Sequence, residues 1–330
     1  MNSLFPLDEA EKYLRGIFAG LVRDEYALEW PDRDGKTTLR VEHVDVKTRD
    51  GLLVKEVVRL NHSSPVLEPL TAIAGQMNRW ATLSSLTSAT GGCSAGLTCQ
   101  VGIFAPDSAA AEDVYAPLLC TEAAIMGWHA ARLARAQFQV DPDSSPLYRT
   151  AEVTPYGETD FHTCLQHAHN MRLFANADEH ALTAEMPWDP GAVSNMFRVM
   201  EAGPELTAED GRSQEDLEQM GGRTCLLWLT ANEPHALYGN GVLSRLELPL
   251  PVHGPSAEAL VNELNQWELS TPDLPPLFGA WCLGPRAPTF VSFFPNAMCV
   301  PGLLVNLLYW NRVRAARVRE WVGEQGSAEH

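Results

Sequence analysis

Lysine is nearly missing from this chain: four stand against twenty arginines in 330 residues, a bias of codon usage rather than of mechanism. No Cys-x-x-Cys spacing joins its seven cysteines, and their odd number fits no closed disulfide framework. They read as small apolar residues in a reducing cytoplasm. A surplus of positive charge is lacking too. The net charge of −18 argues against a nucleic-acid or anionic-membrane binder, whose footprint is basic. The opening residues have no basic stretch followed by an apolar one, so no signal peptide is expected. Long apolar runs are also absent. The longest without charge, Phe290–Tyr309, is broken by Pro295, Asn296, Pro301, Gly302 and Asn306, which excludes a membrane span there.

What is present is a globular composition, 45% hydrophobic, with length for two ordinary domains. The acid excess is concentrated: residues 141–222 hold 16 Asp and Glu against 4 Lys and Arg. Three local matches recur in the same order along the chain. Asp24-Glu25-Tyr26-Ala27-Leu28 matches Asp178-Glu179-His180-Ala181-Leu182 at an offset of 154. Asn78-Arg79-Trp80 matches Asn265-Gln266-Trp267 at 187, and Trp128–Arg135 matches Trp310–Arg317 at 182. Ordered matches of this kind point to an internal duplication. The jump in offset places about 33 extra residues in the second copy, where the acidic stretch 187–222 lies.

In the first copy, apolar positions Ala10, Tyr13, Leu14, Ile17, Phe18 and Leu21 predict an opening helix. Strands are expected over Thr38–Val46 and Leu52–Leu60 across the turn Arg49-Asp50-Gly51. A helix is expected over Val66–Trp80, a second hairpin over Leu83–Thr90 and Leu97–Phe104, and a closing helix over Ser108–Gln137. The second copy repeats this order. A helix carries Phe161, Cys164, Ala168, Met171 and Ala175, and strands Arg223–Ala231 and Leu237–Leu250 meet around Asn232–His235. A helix follows over Ser256–Trp267, then a hairpin over Leu277–Leu283 and Phe290–Phe294, then a helix over Pro301–Val322. The expected fold is α+β: two tandem copies of an α-β-β-(β)-α-β-β-α unit, with antiparallel sheets and helices packed on one face. The domains are 1–140 and 158–330, joined by a linker at 141–157.

Three clusters invite chemistry and are read otherwise. His162, Cys164, His167 and His169 are zinc-type ligands, but helical spacing puts His162 and His169 on one flank and Cys164 and His167 on another. Gly92-Cys93-Ser94-Ala95-Gly96 matches the pattern of a nucleophile elbow, yet a strand, not a helix, follows it. The loop Gly91–Gly96 also lacks the lysine of a phosphate-binding loop. Trp80, Trp128, Trp267 and Trp310 read as core anchors. No catalytic, cofactor or metal site is expected. The candidate client-binding residues are Val193, Met196, Phe197 and Met200, part of an apolar stripe from Ala192 that reads as a helix begun by Asp189-Pro190, tied to an acidic arm.

A unit of this element order, about 130 residues long and acidic, resembles the type III secretion chaperones and the related bacterial YbjN-like family. That resemblance implies a cytoplasmic, non-enzymatic chaperone or adaptor that holds extended segments of a client protein. In those families the unit pairs as a homodimer, so the fused chain is expected to act as a built-in pseudo-dimer, with further homodimerisation open. Two rival readings stand beside it. One is a structural subunit of a larger assembly. The other is a hydrolase using Cys93 or Ser94, with His129 or His167 as base.

Overall fold

The computed structural model describes residues 3–32, 35–48, 51–80, 83–88, 95–105, 111–139, 198–201, 208–209, 224–235, 239–248, 250, 257–284, 287–295 and 303–328. The first half opens with α1 (Leu7–Ile17), followed by β1 (Val22–Asp24), β2 (Ala27–Asp32), β3 (Gly35–Lys47) and β4 (Leu53–Ser63). Then come two 3-10 turns, Glu68–Ile73 and Asn78–Trp80, flanking the short α2 (Ala74–Met77). β5 (Ser85–Ser88), β6 (Ala95–Ala105), a π-helical turn at Ala111–Tyr115 and α3 (Ala116–Gln139) complete it. The second half has β7 (Arg198–Glu201), β8 (Ala208–Glu209), β9 (Thr224–His235), β10 (Gly239–Glu247), α4 (Ala257–Ser270), β11 (Ala280–Leu283), β12 (Pro288–Pro295) and α5 (Leu303–Ala328).

Among the described residues the strands form two six-stranded sheets, and every pairing in them is antiparallel. Their orders are β1-β2-β3-β4-β6-β5 and β8-β7-β9-β10-β12-β11. In each, a long hairpin (β3–β4, β9–β10) is followed by a helical segment and a second hairpin (β5–β6, β11–β12). The later strand of that second hairpin pairs with the later strand of the first, which leaves β5 or β11 at the edge.

Cross-strand register explains why the first sheet buries one face. Leu28, Leu39, Leu60 and Cys99 lie in one row, and Val41, Val58 and Val101 in the next, all buried beneath the helices. The opposite face carries Thr38, Asn61 and Thr98 in one row, then Arg40, Arg59 and Gln100. This is the alternation a half-solvated antiparallel sheet requires. Val44 and Val46 break the alternation of β3 because the register shifts between His43 and Val46, as a β-bulge does.

The structure corrects several expectations. α1 ends at Ile17; Phe18 is extended, Gly20 takes φ +82, and Leu21 is buried from outside the helix. The additional strands of the first sheet, β1 and β2, precede the first hairpin; the extra strand was expected just before the middle helix. The segment 66–80 is no continuous helix. Leu67, Leu70 and Ile73 recur every three residues, the period of a 3-10 turn, and Pro69 sits at its start. β9 runs to His235, through the residues Asn232–His235 where the strands were expected to meet. Val199 and Met200 lie on β7, paired with β9 on one side and β8 on the other, so the helix expected from Ala192 does not extend over them. The expected helix at 161–175 and the linker at 141–157 lie outside the described residues.

Candidate functional site

Buried polar groups are where a folded chain either hides chemistry or fastens itself together. Among the described residues of the first half, three such clusters are built around a carboxylate. Where β2, β3 and β4 lie side by side, Asp32, Thr37 and His62 meet beneath Gly127 of α3, whose close approach leaves 3.1 Å between an added Cβ and the Asp32 carboxyl carbon. Thr37 Oγ1 donates to Asp32 Oδ2 and lies 2.8 Å from His62 Nδ1, which is itself 3.1 Å from Asp32 Oδ2. A hydroxyl–imidazole–carboxylate relay uses the two ring nitrogens separately. Here one nitrogen faces both partners, and Nε2 has no hydrogen-bond partner among the described residues. Thr37 and His62 are both fully buried. The arrangement fastens β2, β3 and β4 to one another.

The second cluster ties down the N-terminus. Glu56, on the inner face of β4 beside a register shift, accepts hydrogen bonds from Leu4 N (2.8 Å), Phe5 N (2.9 Å) and Ser3 Oγ (3.0 Å). In the third, Ser84 donates to Glu122 of α3 at 2.8 Å, and Glu122 Oε2 has no partner. Burial pushes this carboxyl up to about 8, with Ser84 drawing it partly back. In the second half, Arg314 of α5 meets both oxygens of Glu268 at 2.9 Å, and Trp281 Nε1 donates to Oε1 at 2.6 Å. Burial raises the Glu268 carboxyl while Arg314 opposes the rise. Arg314 also donates to Pro276 O and stacks over Phe290, 3.8 Å from the ring centre.

One motif recurs with the same bonding in both halves. Asn78 Oδ1 accepts from Leu86 N (2.7 Å) and its amide nitrogen donates to Leu86 O (3.3 Å). Asn265 Oδ1 accepts from Trp281 N (2.8 Å) and its amide nitrogen donates to Trp281 O (2.9 Å). Each asparagine brackets one residue of its own edge strand, β5 or β11. These are the asparagines of the sequence match at offset 187.

The halves join along those edges. β6 is lined by β5 as far as Ser85, and beyond it Leu277 takes the vacant lane: Leu277 N donates to Gln100 O and Gln100 N to Leu277 O, at 2.8 and 3.4 Å. Gly279 N donates to Leu83 O. Arg59 reaches Leu269 O, and Arg79 reaches Leu283 O. At Gly102 an added Cβ would lie 2.5 Å from Pro272 O, so only glycine admits this crossing. Tyr115, Trp310 and Phe278 carry one apolar core across the join.

Of the candidate client-binding residues, Met200 lies on β7, opposite Cys225 and Ala208; Val193, Met196 and Phe197 lie outside the described residues. So do His162, Cys164, His167, His169, Cys93 and Ser94, while β6 begins at Ala95, a strand where an elbow needs a helix. His129 is buried on α3. Cys99, Cys120, Cys225 and Cys282 are buried free thiols that burial pushes up, Cys120 and Cys282 to about 12 and Cys225 to about 11, which favours the protonated form. Among the described residues no group of three His, Cys, Asp or Glu side chains is placed to hold a metal, and no helix is long and apolar enough to cross a membrane. The fold thus belongs to the α+β class with antiparallel sheets. No protein-family model, curated protein or solved structure matches the chain.

Proposed function

We propose that this chain is a tandem pair of one α+β unit that holds a client protein and catalyses no reaction. The observation that carries the reading is the plan common to four strands of each sheet, β3-β4-β6-β5 and β9-β10-β12-β11, with an asparagine bracketing the edge strand at equivalent places. Two such units joined through β5 and β11 turn their opposite edges outward. In the first sheet that edge is β1, where Val22 is 64% exposed. An open edge accepts an extended segment by main-chain hydrogen bonds, which is how a chaperone holds a client without a deep pocket. The polar clusters support the same reading, since each fastens elements together in the interior.

The test is capture from native cells with the tagged full chain, followed by mass spectrometry, with Val22→Lys in parallel. A lysine on an edge strand discourages strand addition. The expected result is a specific client that the variant, equally stable, holds at least several-fold more weakly. Equal capture by both proteins contradicts binding at β1, and no specific client contradicts the function.

A further inference from the structure

Among the described residues the buried carboxylates are compensated unequally. Glu56 accepts three hydrogen bonds, and Glu268 meets Arg314 and Trp281. Glu122, fully buried, has one donor, Ser84, and one oxygen with no partner. No cationic side chain pairs with it among the described residues. Its charge also raises the thiol of Cys99 on β6. The other ionisable groups of this core are Tyr13 on α1, Tyr115 and His129 at α3, Cys120 two residues back, and the Asp32–His62 and Glu56 clusters, bonded among themselves. An ionised carboxylate without a cation is costly in such a place, whereas its neutral form is tolerated.

The position matters as much as the imbalance. Ser84 follows Leu83, whose carbonyl accepts from Gly279 of the second half, and precedes the bracketed strand β5. We propose that Glu122 is a protonation-sensitive pin at the join of the two halves: neutral, it lets α3 close on Ser84 and the β5 edge; ionised, it loosens that edge and the contact with Gly279. At the equivalent place in the second half the offset of the closing helices sets Leu304 opposite Glu122.

The direction in pH follows from burial. The carboxyl is raised from 4.5 to about 8 in the folded protein. The stability it permits is therefore full below pH 4.5 and is lost as pH rises through about 8. The test is chemical denaturation of the full chain across that window for wild type and Glu122→Gln, which keeps an acceptor for Ser84 and cannot ionise. The described cysteines, raised by burial from an ordinary value of 9.0, titrate above this window. The folding constant of the variant relative to wild type is expected to rise by roughly a thousandfold across the window. Hydrogen exchange at Leu86 and Gly279, corrected for its intrinsic pH dependence, is expected to quicken in wild type alone. Parallel stability curves overturn the proposal. If the glutamine variant does not fold, Ser84→Ala serves instead. Loss of the donor that draws the carboxyl down extends the alkaline fall to higher pH, and an unchanged fall overturns the proposal equally.

Discussion

The two halves bury a helical glutamate, Glu122 on α3 and Glu268 on α4, in opposite ways. In the second, Glu268 sits against Arg314 and Trp281, and the same arginine reaches Pro276 in the segment that crosses to the first sheet. In the first, Glu122 has a serine hydroxyl and, among the described residues, no cation. Arg317 strengthens the second arrangement by meeting Asp273 at 2.6 Å. The second half is thus fastened by ion pairs whose strength is set by geometry, and the first by a group whose charge can change. A join built from one half of each kind is held firmly on one side and conditionally on the other.

That comparison can be broken most forcefully at Arg314. Arg314→Met leaves Glu268 buried without its cation, which costs about 3–5 kcal/mol when one partner of a buried pair is removed. Urea denaturation measures it, and a loss below about 1 kcal/mol would make the ion pair dispensable. The asparagine brackets come next. Asn78→Ala and Asn265→Ala each strip two hydrogen bonds from a buried edge strand, with an expected loss of about 2–3 kcal/mol apiece. Similar losses sharpen the equivalence of the halves, and a large loss at one beside none at the other breaks it. Gly102→Ala sets a methyl against Pro272 O and is expected to cost about 1–3 kcal/mol as the crossing segment shifts. The effect is then greatest on exchange at the Gln100 and Leu277 amides. The smallest effect is expected at the exposed pair Lys36–Glu29, 2.5 Å apart on neighbouring strands. Lys36→Ala there changes stability by less than about 1 kcal/mol in a thermal melt.

Much of the fold was legible in the sequence, and the misses have physical causes. Gly51, with φ +81 between β3 and β4, marked the first hairpin, and the helix expected at Ser256–Trp267 is α4, Ala257–Ser270. The 66–80 segment was misread because Leu67, Leu70 and Ile73 satisfy a helical stripe loosely and a three-residue period strictly. β1 and β2 escaped because short strands of mixed polarity, Val22–Asp24 and Ala27–Asp32, leave little periodic signal. Val199 and Met200 sit in a four-residue strand, too short for periodicity to tell strand from helix. Of the polar clusters, the sequence exposed one trace: Asn78 and Asn265 stood in a matched triplet, although the tryptophans beside them drew the reading. Asp32, Thr37 and His62 converge only through strand register, and Glu122 is distinguished by what it lacks, which no local pattern records.

The central proposal is that the two halves share one arrangement, β3-β4-β6-β5 and β9-β10-β12-β11, each with its edge strand bracketed by an asparagine. Native-state hydrogen exchange on the full chain tests it most directly at two amides, Leu86 and Trp281, which donate to Asn78 and Asn265. The account predicts that both are strongly protected below pH 4.5, where Glu122 is neutral, with opening free energies within about 1 kcal/mol of each other. Each should lose protection selectively when its own asparagine becomes alanine. An unprotected amide at either position, or a loss at both from one substitution alone, would contradict it.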